Sequence, residues 1–238
     1  YNIPLLIDLF FELMFVGSHG TLITSSKKPG EKLCDAFETM GTTFIKLGQF
    51  LATRPDIIGD QLANDLAKLQ DKLPPFDINL SKQIIKKEIG EKQFNKIINL
   101  SEPIAAASIA QVHTAKILIN EEEKEVAIKI LRPNIEKLFN EELDALMLLA
   151  YITETLVSKT KRLKLIEVVH LLREITNIEM DLRFEAAAAN ELYENTKHDK
   201  GFNVPKIYWN YTSKRVLTLD KVNGTPIREY ENLRKSGV

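Results

Sequence analysis

The sequence predicts an α+β fold, a small antiparallel sheet set between helical segments. Three observations carry that expectation. Apolar residues recur at helical spacing through the first hundred residues. The period then changes: two β-rich runs, 110–119 and 126–131, flank the polar turn 120–124 and read as an antiparallel hairpin. Helical patterning returns after Arg132-Pro133, and two short apolar runs follow it.

Composition narrows the class. The chain has 238 residues, 44% hydrophobic and 27% charged, as in an ordinary globular protein, which excludes disordered, collagenous and low-complexity fibres. Lys and Arg number 32 against 33 Asp and Glu, a net charge of −1, so no nucleic-acid partner is expected from global charge. The single cysteine, Cys34, excludes an internal disulfide and a multi-cysteine metal site, and it reads as a small core filler. No pair of histidines has the HExxH spacing. No stretch reaches the 18 or so apolar residues of a spanning helix. The nearest, 3–16, is interrupted by Pro4, Asp8 and Glu12 and lacks a basic leader, so neither a signal peptide nor a spanning segment is expected. That stretch reads as a core or interface helix, with membrane-surface contact as the other reading.

The elements follow in order. Leu33, Phe37, Phe44, Leu47 and Leu51 predict a helix that Arg54-Pro55 ends, because a residue before proline avoids helical geometry. A short helix is expected over 60–69, broken by Pro74-Pro75; a third over 80–89, stopped by Gly90; and a helical turn over 93–98. After the hairpin, Pro133 suits the first position of a helix running from Asn134 to about Leu156. A basic linker, 159–164, reads as a solvated turn, and a longer helix is expected over about 165–195. The runs 204–209 and 216–219 read as strands around a turn at 211–214.

Several residues stand out from this scaffold. Lys129 alternates with Val126, Ile128 and Ile130 in an apolar strand, so partial burial and a charge partner are expected, against the alternative of a lysine reaching out to water. The segment Glu179-Met-Asp181-Leu-Arg-Phe-Glu185 places three carboxylates among apolar neighbours. On one helix, Asp181 and Glu185 would share a face and Glu179 would point away. Upstream, Lys46 and Gln49 share a face of an apolar helix, and Gly48 between them costs about 1 kcal/mol of helix stability against alanine, so something is expected to approach the backbone closely there. There is no glycine between Gly90 and Gly201, so neither a P-loop nor a glycine-rich phosphate loop is present in that span.

In this order and spacing these residues resemble the UbiB-type atypical protein-kinase-like family, which is associated with ubiquinone (coenzyme Q) biosynthesis. The KxGQ motif is Lys46-Leu-Gly-Gln49. The alanine-rich loop is Ala105-Ala106-Ala107-Ser108, with Gln111 and His113 after it. The VAIK lysine is Lys129, the ExD motif is Glu179-Met-Asp181, and Glu185 follows.

The resemblance implies a protein-kinase-like N-lobe with a helical N-terminal extension. The extension would span 1–100, the N-lobe 101–222, and 223–238 would begin a C-lobe. ATP or ADP with Mg²⁺ would be the cofactors, and which residues hold the metal is left open. Nucleotide would meet Ala105, Ala106, Ala107, Ser108, Gln111, Lys129 and the hinge residues Asp220, Lys221 and Val222. Lys129 would pair with Glu185 in a partly dry cleft. Lys46 and Gln49 would cover the site, with Lys46 facing Glu179 and Asp181. The sequence continues only about fifteen residues past the hinge, so the catalytic and metal-binding residues of a C-lobe are expected in a longer product or a second chain, and weak nucleotide binding without turnover is expected of these 238 residues. Ubiquinone-biosynthesis proteins, isoprenoid lipid intermediates and a membrane surface are the partners implied, in the cytoplasm or at the cytoplasmic side of a membrane. The alternative from a different class is a truncated, non-catalytic remnant that binds a partner or lipid through its helices.

Overall fold

The hairpin is the centre of a five-stranded sheet in the computed structural model, which describes residues 28–69, 73–156, 158–225, 227 and 233–234. Strand β3, Ala110–Ile119, pairs antiparallel with β4, Glu122–Leu131. On the far side of β3 lie two short strands, β1 (Ile97–Ile98) and β2 (Ala105–Ala106); on the far side of β4 lies β5, Val216–Asp220. The turn is shorter than the sequence suggests. Asn120 and Glu121 both take positive φ, 50° and 68°, and form a two-residue hairpin loop, so Glu122, Glu123 and Lys124 belong to the strand. That loop length matches the right-handed twist of the strands, and it sets the register: Val112 faces Lys129, and Gln111 faces Ile130.

Alternation then decides which residues are interior. Val126, Ile128 and Ile130 are fully buried and pack with Ile117, Val216, Tyr208 and Tyr211 and with Ile85. Ile85 comes from α5, Ile78–Ile89. Asp77 caps that helix by accepting from the Asn79 and Leu80 amides, and Gly90 ends it at φ 83°. Lys129 and Ala127 lie on the other face.

The residues group into two compact units whose limits differ from the sequence divisions at 100 and 222. The sheet unit takes in Leu73–Ile135 and the described residues from Ile175 onward. The helical unit takes in the described residues 28–69 together with Glu136–Glu174.

In the helical unit the single helix expected from 33 to 54 is two. Helix α1, Pro29–Met40, has proline at its first position and Glu31 in its first turn. It ends at Gly41, whose φ of 103° is closed to most other residues, and α2, Thr42–Ala52, starts there. Two shorter helices follow, α3 (Pro55–Ile58) and α4 (Asp60–Leu66), the latter ending short of the expected Leu69. Leu33, Phe37, Phe44 and Leu47 are buried, as their spacing predicts. Gly48 has the close neighbour its cost implied: a Cβ there would meet the Leu69 methyl and stand 2.7 Å from the Phe37 ring.

Further along, α6 is the short turn Glu91–Phe94, and α7 is Ile135–Leu156, starting one residue after the expected Asn134, which itself has φ 56°. A 3₁₀ segment, Ser158–Leu163, occupies the basic linker. The long helix expected over 165–195 is divided. Helix α8, Leu165–Glu179, stops at Met180, and α9, Leu182–Thr196, begins afresh with Asp181 as its cap.

The run 204–209 is not a strand. Pro205 has no amide hydrogen to give a ladder, and only one bridge forms, Ile207 with Leu219, before the chain turns at Trp209–Tyr211. The apolar stretch 3–16 lies outside the described residues.

Candidate functional site

Lys129 and Glu185 meet. Glu185 stands in the first turn of α9, and its Oε2 lies 2.7 Å from Lys129 Nζ although 56 residues separate them in sequence. The site is wetter than expected: the two side chains are 27% and 50% exposed. An ion pair this open contributes about 0.2–1 kcal/mol, since solvent screens it and ordering two side chains costs entropy. In a double-mutant cycle of Lys129→Met and Glu185→Gln, followed by chemical denaturation, the coupling should therefore fall in that range. A coupling near 3 kcal/mol would mean that the pair is dry.

The alanine-rich loop folds as a narrow hairpin against β3. Ala105 pairs with Val112 and Ala106 with Gln111, and the Ala107 amide donates to the Ala110 carbonyl at 2.8 Å. Ser108, at the tip, is buried. Val112, opposite Ala105, is also the partner of Lys129 across the sheet, so the loop base and the lysine are one strand apart.

Gln111 faces the other way. The register puts it beside Ile130 on the core side of the sheet, opposite to Lys129, where it is fully enclosed. Its amide oxygen accepts from the Phe76 amide (2.9 Å). Its nitrogen lies 3.1 Å from the Phe76 carbonyl, 2.9 Å from Ser81 Oγ and 3.0 Å from His113 Nε2. His113, equally buried, has Nδ1 2.8 Å from the Ser101 carbonyl. A carbonyl only accepts, so Nδ1 carries the proton and Nε2 accepts from Gln111 or Ser81. Burial pushes the imidazole below its ordinary pKa, against the opposing pull of the Ser101 carbonyl and Glu102, and so favours the neutral ring this arrangement needs. The geometry of Gln111 and His113 is that of a buried structural network.

The hinge residues close β5. The Asp220 amide donates to the Lys206 carbonyl (3.0 Å) and the Lys221 amide to the Glu125 carbonyl (3.1 Å). The Asp220 carboxylate accepts from the Tyr208 hydroxyl at 2.6 Å and from the Lys206 amide at 3.1 Å. Burial, with the Asp220 carboxylate beside it, pushes the Tyr208 phenol up to about 12. Val222 is exposed.

The acids do not share one helix. Glu179 ends α8, half-buried. Asp181 caps α9, accepting from the Arg183 amide (3.1 Å), and a two-pronged Arg183 guanidinium holds it at 2.9 and 2.6 Å. That hydrogen-bonded guanidinium keeps the Asp181 carboxyl below its usual range. Lys46 is expected to face Glu179 and Asp181; the partner seen on Asp181 is Arg183, and an arginine two residues past an aspartate at a helix start is within reach of it. Lys46 and Gln49 both lie half-buried on α2 in the helical unit.

Arg132 was also missed. Its side chain donates from Nε to the Ala107 carbonyl (3.0 Å) and from a terminal nitrogen to the carbonyls of Pro74 (2.9 Å) and Leu73 (3.3 Å), and it lies 5.9 Å from the Phe76 ring centre. The signal available was an arginine directly after two interior strand positions, whose five donors need acceptors nearby.

A family model described as an ABC1 atypical kinase-like domain matches residues 68–238. Among curated proteins, those named "Probable protein kinase UbiB" from Pseudomonas aeruginosa and Pseudomonas paraeruginosa are 37% identical over 206 residues, covering 86% of this chain and 38% of their own length. One of the same name from Marinobacter nauticus is 38% identical over 210 residues, 88% of this chain and 38% of its own. The chain thus spans about 38% of the length of the curated relatives it matches.

Proposed function

Because this chain belongs to the ABC1 atypical kinase-like family, we propose that its sheet unit binds an adenine nucleotide, ATP or ADP, on the Lys129 face, as the N-terminal part of a UbiB-type kinase or ATPase that supports ubiquinone biosynthesis. The observation that carries this reading is the Lys129–Glu185 pair at 2.7 Å. It leaves an oriented and accessible ammonium beside the base of the alanine-rich loop, and phosphoryl groups are bound by such positioned cations. Adenine would lie against the hinge at Val222, since the Asp220 and Lys221 amides already have carbonyl partners.

The described carboxylates do not fit a Mg²⁺ site. Asp181 is engaged by Arg183 and Glu185 by Lys129, and among the described residues no three His, Cys, Asp or Glu side chains converge to hold a metal. Nucleotide binding is the activity proposed for these residues. Lys46 and Gln49 would act from the helical extension.

A second reading, a partner- or lipid-binding module, draws on an apolar cleft of about 230 Å³ in the helical unit, lined by Phe37, Leu47, Leu51, Leu149 and Val168. An isoprenoid tail is the chemistry that would suit it. Among the described residues no helix is long and apolar enough to cross a membrane.

Titration with ATP and with ADP tests the proposal. Lys129→Met should lower nucleotide affinity at least tenfold while leaving the unfolding midpoint near that of the parent, because the pair it breaks is half-exposed. Equal affinity in parent and variant would refute it.

A further inference from the structure

A phosphate loop without glycine has to be held in place by something other than close backbone approach. In this chain two carbonyls that flank Ser108 end on one residue: the Ala107 carbonyl accepts from Arg132 Nε at 3.0 Å, and the Ile109 carbonyl from the Arg132 amide at 2.8 Å. The rest of the same guanidinium reaches the Pro74 and Leu73 carbonyls, and its plane lies near Phe76. Phe76 is in turn gripped through both its amide and its carbonyl by Gln111, directly below the loop. The Arg132 carbonyl is itself fixed by Arg215 at 2.7 Å.

We infer that Arg132 is a positioning residue for nucleotide binding: it locks the peptide planes of the alanine-rich loop and ties that loop to the 73–76 segment. The inference rests on the nucleotide-binding reading above. The physical reason is twofold. Carbonyl oxygens free to swing toward a phosphate would repel it; the Arg132 side chain holds that of Ala107 and its backbone amide that of Ile109. A planar fork can also join carbonyls on separate segments, which a lysine ammonium on a flexible stem does poorly.

The test uses the whole chain with Arg132→Lys, which keeps charge and most of the volume, and Arg132→Leu beside it. Amide hydrogen exchange is read at Ala107, ATP affinity by titration, and global stability by the unfolding midpoint. In Arg132→Lys we expect exchange at Ala107 about tenfold faster, affinity about tenfold weaker and an unchanged midpoint, so that the conservative variant fails to rescue. Parental exchange at Ala107 in Arg132→Lys overturns the inference, whatever Arg132→Leu does to folding. Faster exchange with undiminished ATP affinity overturns its functional half. If the parent chain binds no nucleotide, the nucleotide-binding reading fails and that functional half with it, while exchange at Ala107 still decides whether Arg132 holds the loop.

Discussion

Replacing Gln111 by alanine should destabilise the sheet unit by about 3 kcal/mol. The side chain is fully enclosed and links the Phe76 amide and carbonyl, Ser81 and His113. Its removal strands buried polar groups, each costing about 1–3 kcal/mol when unsatisfied, and leaves a cavity as well. Solvent reaches Phe76 in part, which holds the sum near the lower end. The chain's only tryptophan, Trp209, lies in this unit, so urea unfolding followed by its fluorescence reads the effect directly. A loss under 1 kcal/mol would mean that the network is not what closes this side of the sheet.

Gly48→Ala should destabilise the helical unit by about 1–2 kcal/mol, although alanine is the better helix former. The added methyl would meet the end of Leu69, which can rotate, and the Phe37 ring, which cannot easily withdraw. Phe37 is 3% exposed and packs against Phe44, with ring centres 6.2 Å apart. Overpacking of this kind costs about 1–3 kcal/mol, and the gain in helix propensity offsets up to about 1 kcal/mol of it. Denaturation followed by circular dichroism, with amide exchange along α2 to localise the loss, checks the sign. A stabilised variant would show that Phe37 and Leu69 repack freely.

How much of this was legible in the sequence depended on which signals are local. The hairpin and its interior face followed from alternation alone. The position of Gln111 did not, for a reason that lies in the turn. A five-residue loop over 120–124 would pair Ile119 with Glu125 and bring Gln111 to the face of Lys129. The two-residue loop at Asn120–Glu121 shifts the register by an odd number of residues, and each such shift exchanges the faces of a strand.

The break between α8 and α9 was hidden because Met180 and Asp181 are each compatible with a continuous helix. What decides it is the Asp181–Arg183 bond, a side-chain geometry that propensity does not express. Gly41, by contrast, carried a readable stop signal between Phe37 and Phe44. The pairing of Lys129 with Glu185 across 56 residues was accessible only through family resemblance, and its exposure was not accessible at all.

The most direct test of the central claim is to titrate the isotopically labelled chain with ATP and map the amide shifts by NMR. The account predicts changes clustered at residues 105–108, at Lys129 and at 221–222, lost on Lys129→Met. Changes centred instead on α1 and α2, or on the hollow of about 380 Å³ lined by Lys96, Asn120, Trp209 and Tyr211, would contradict it, as would no change at all.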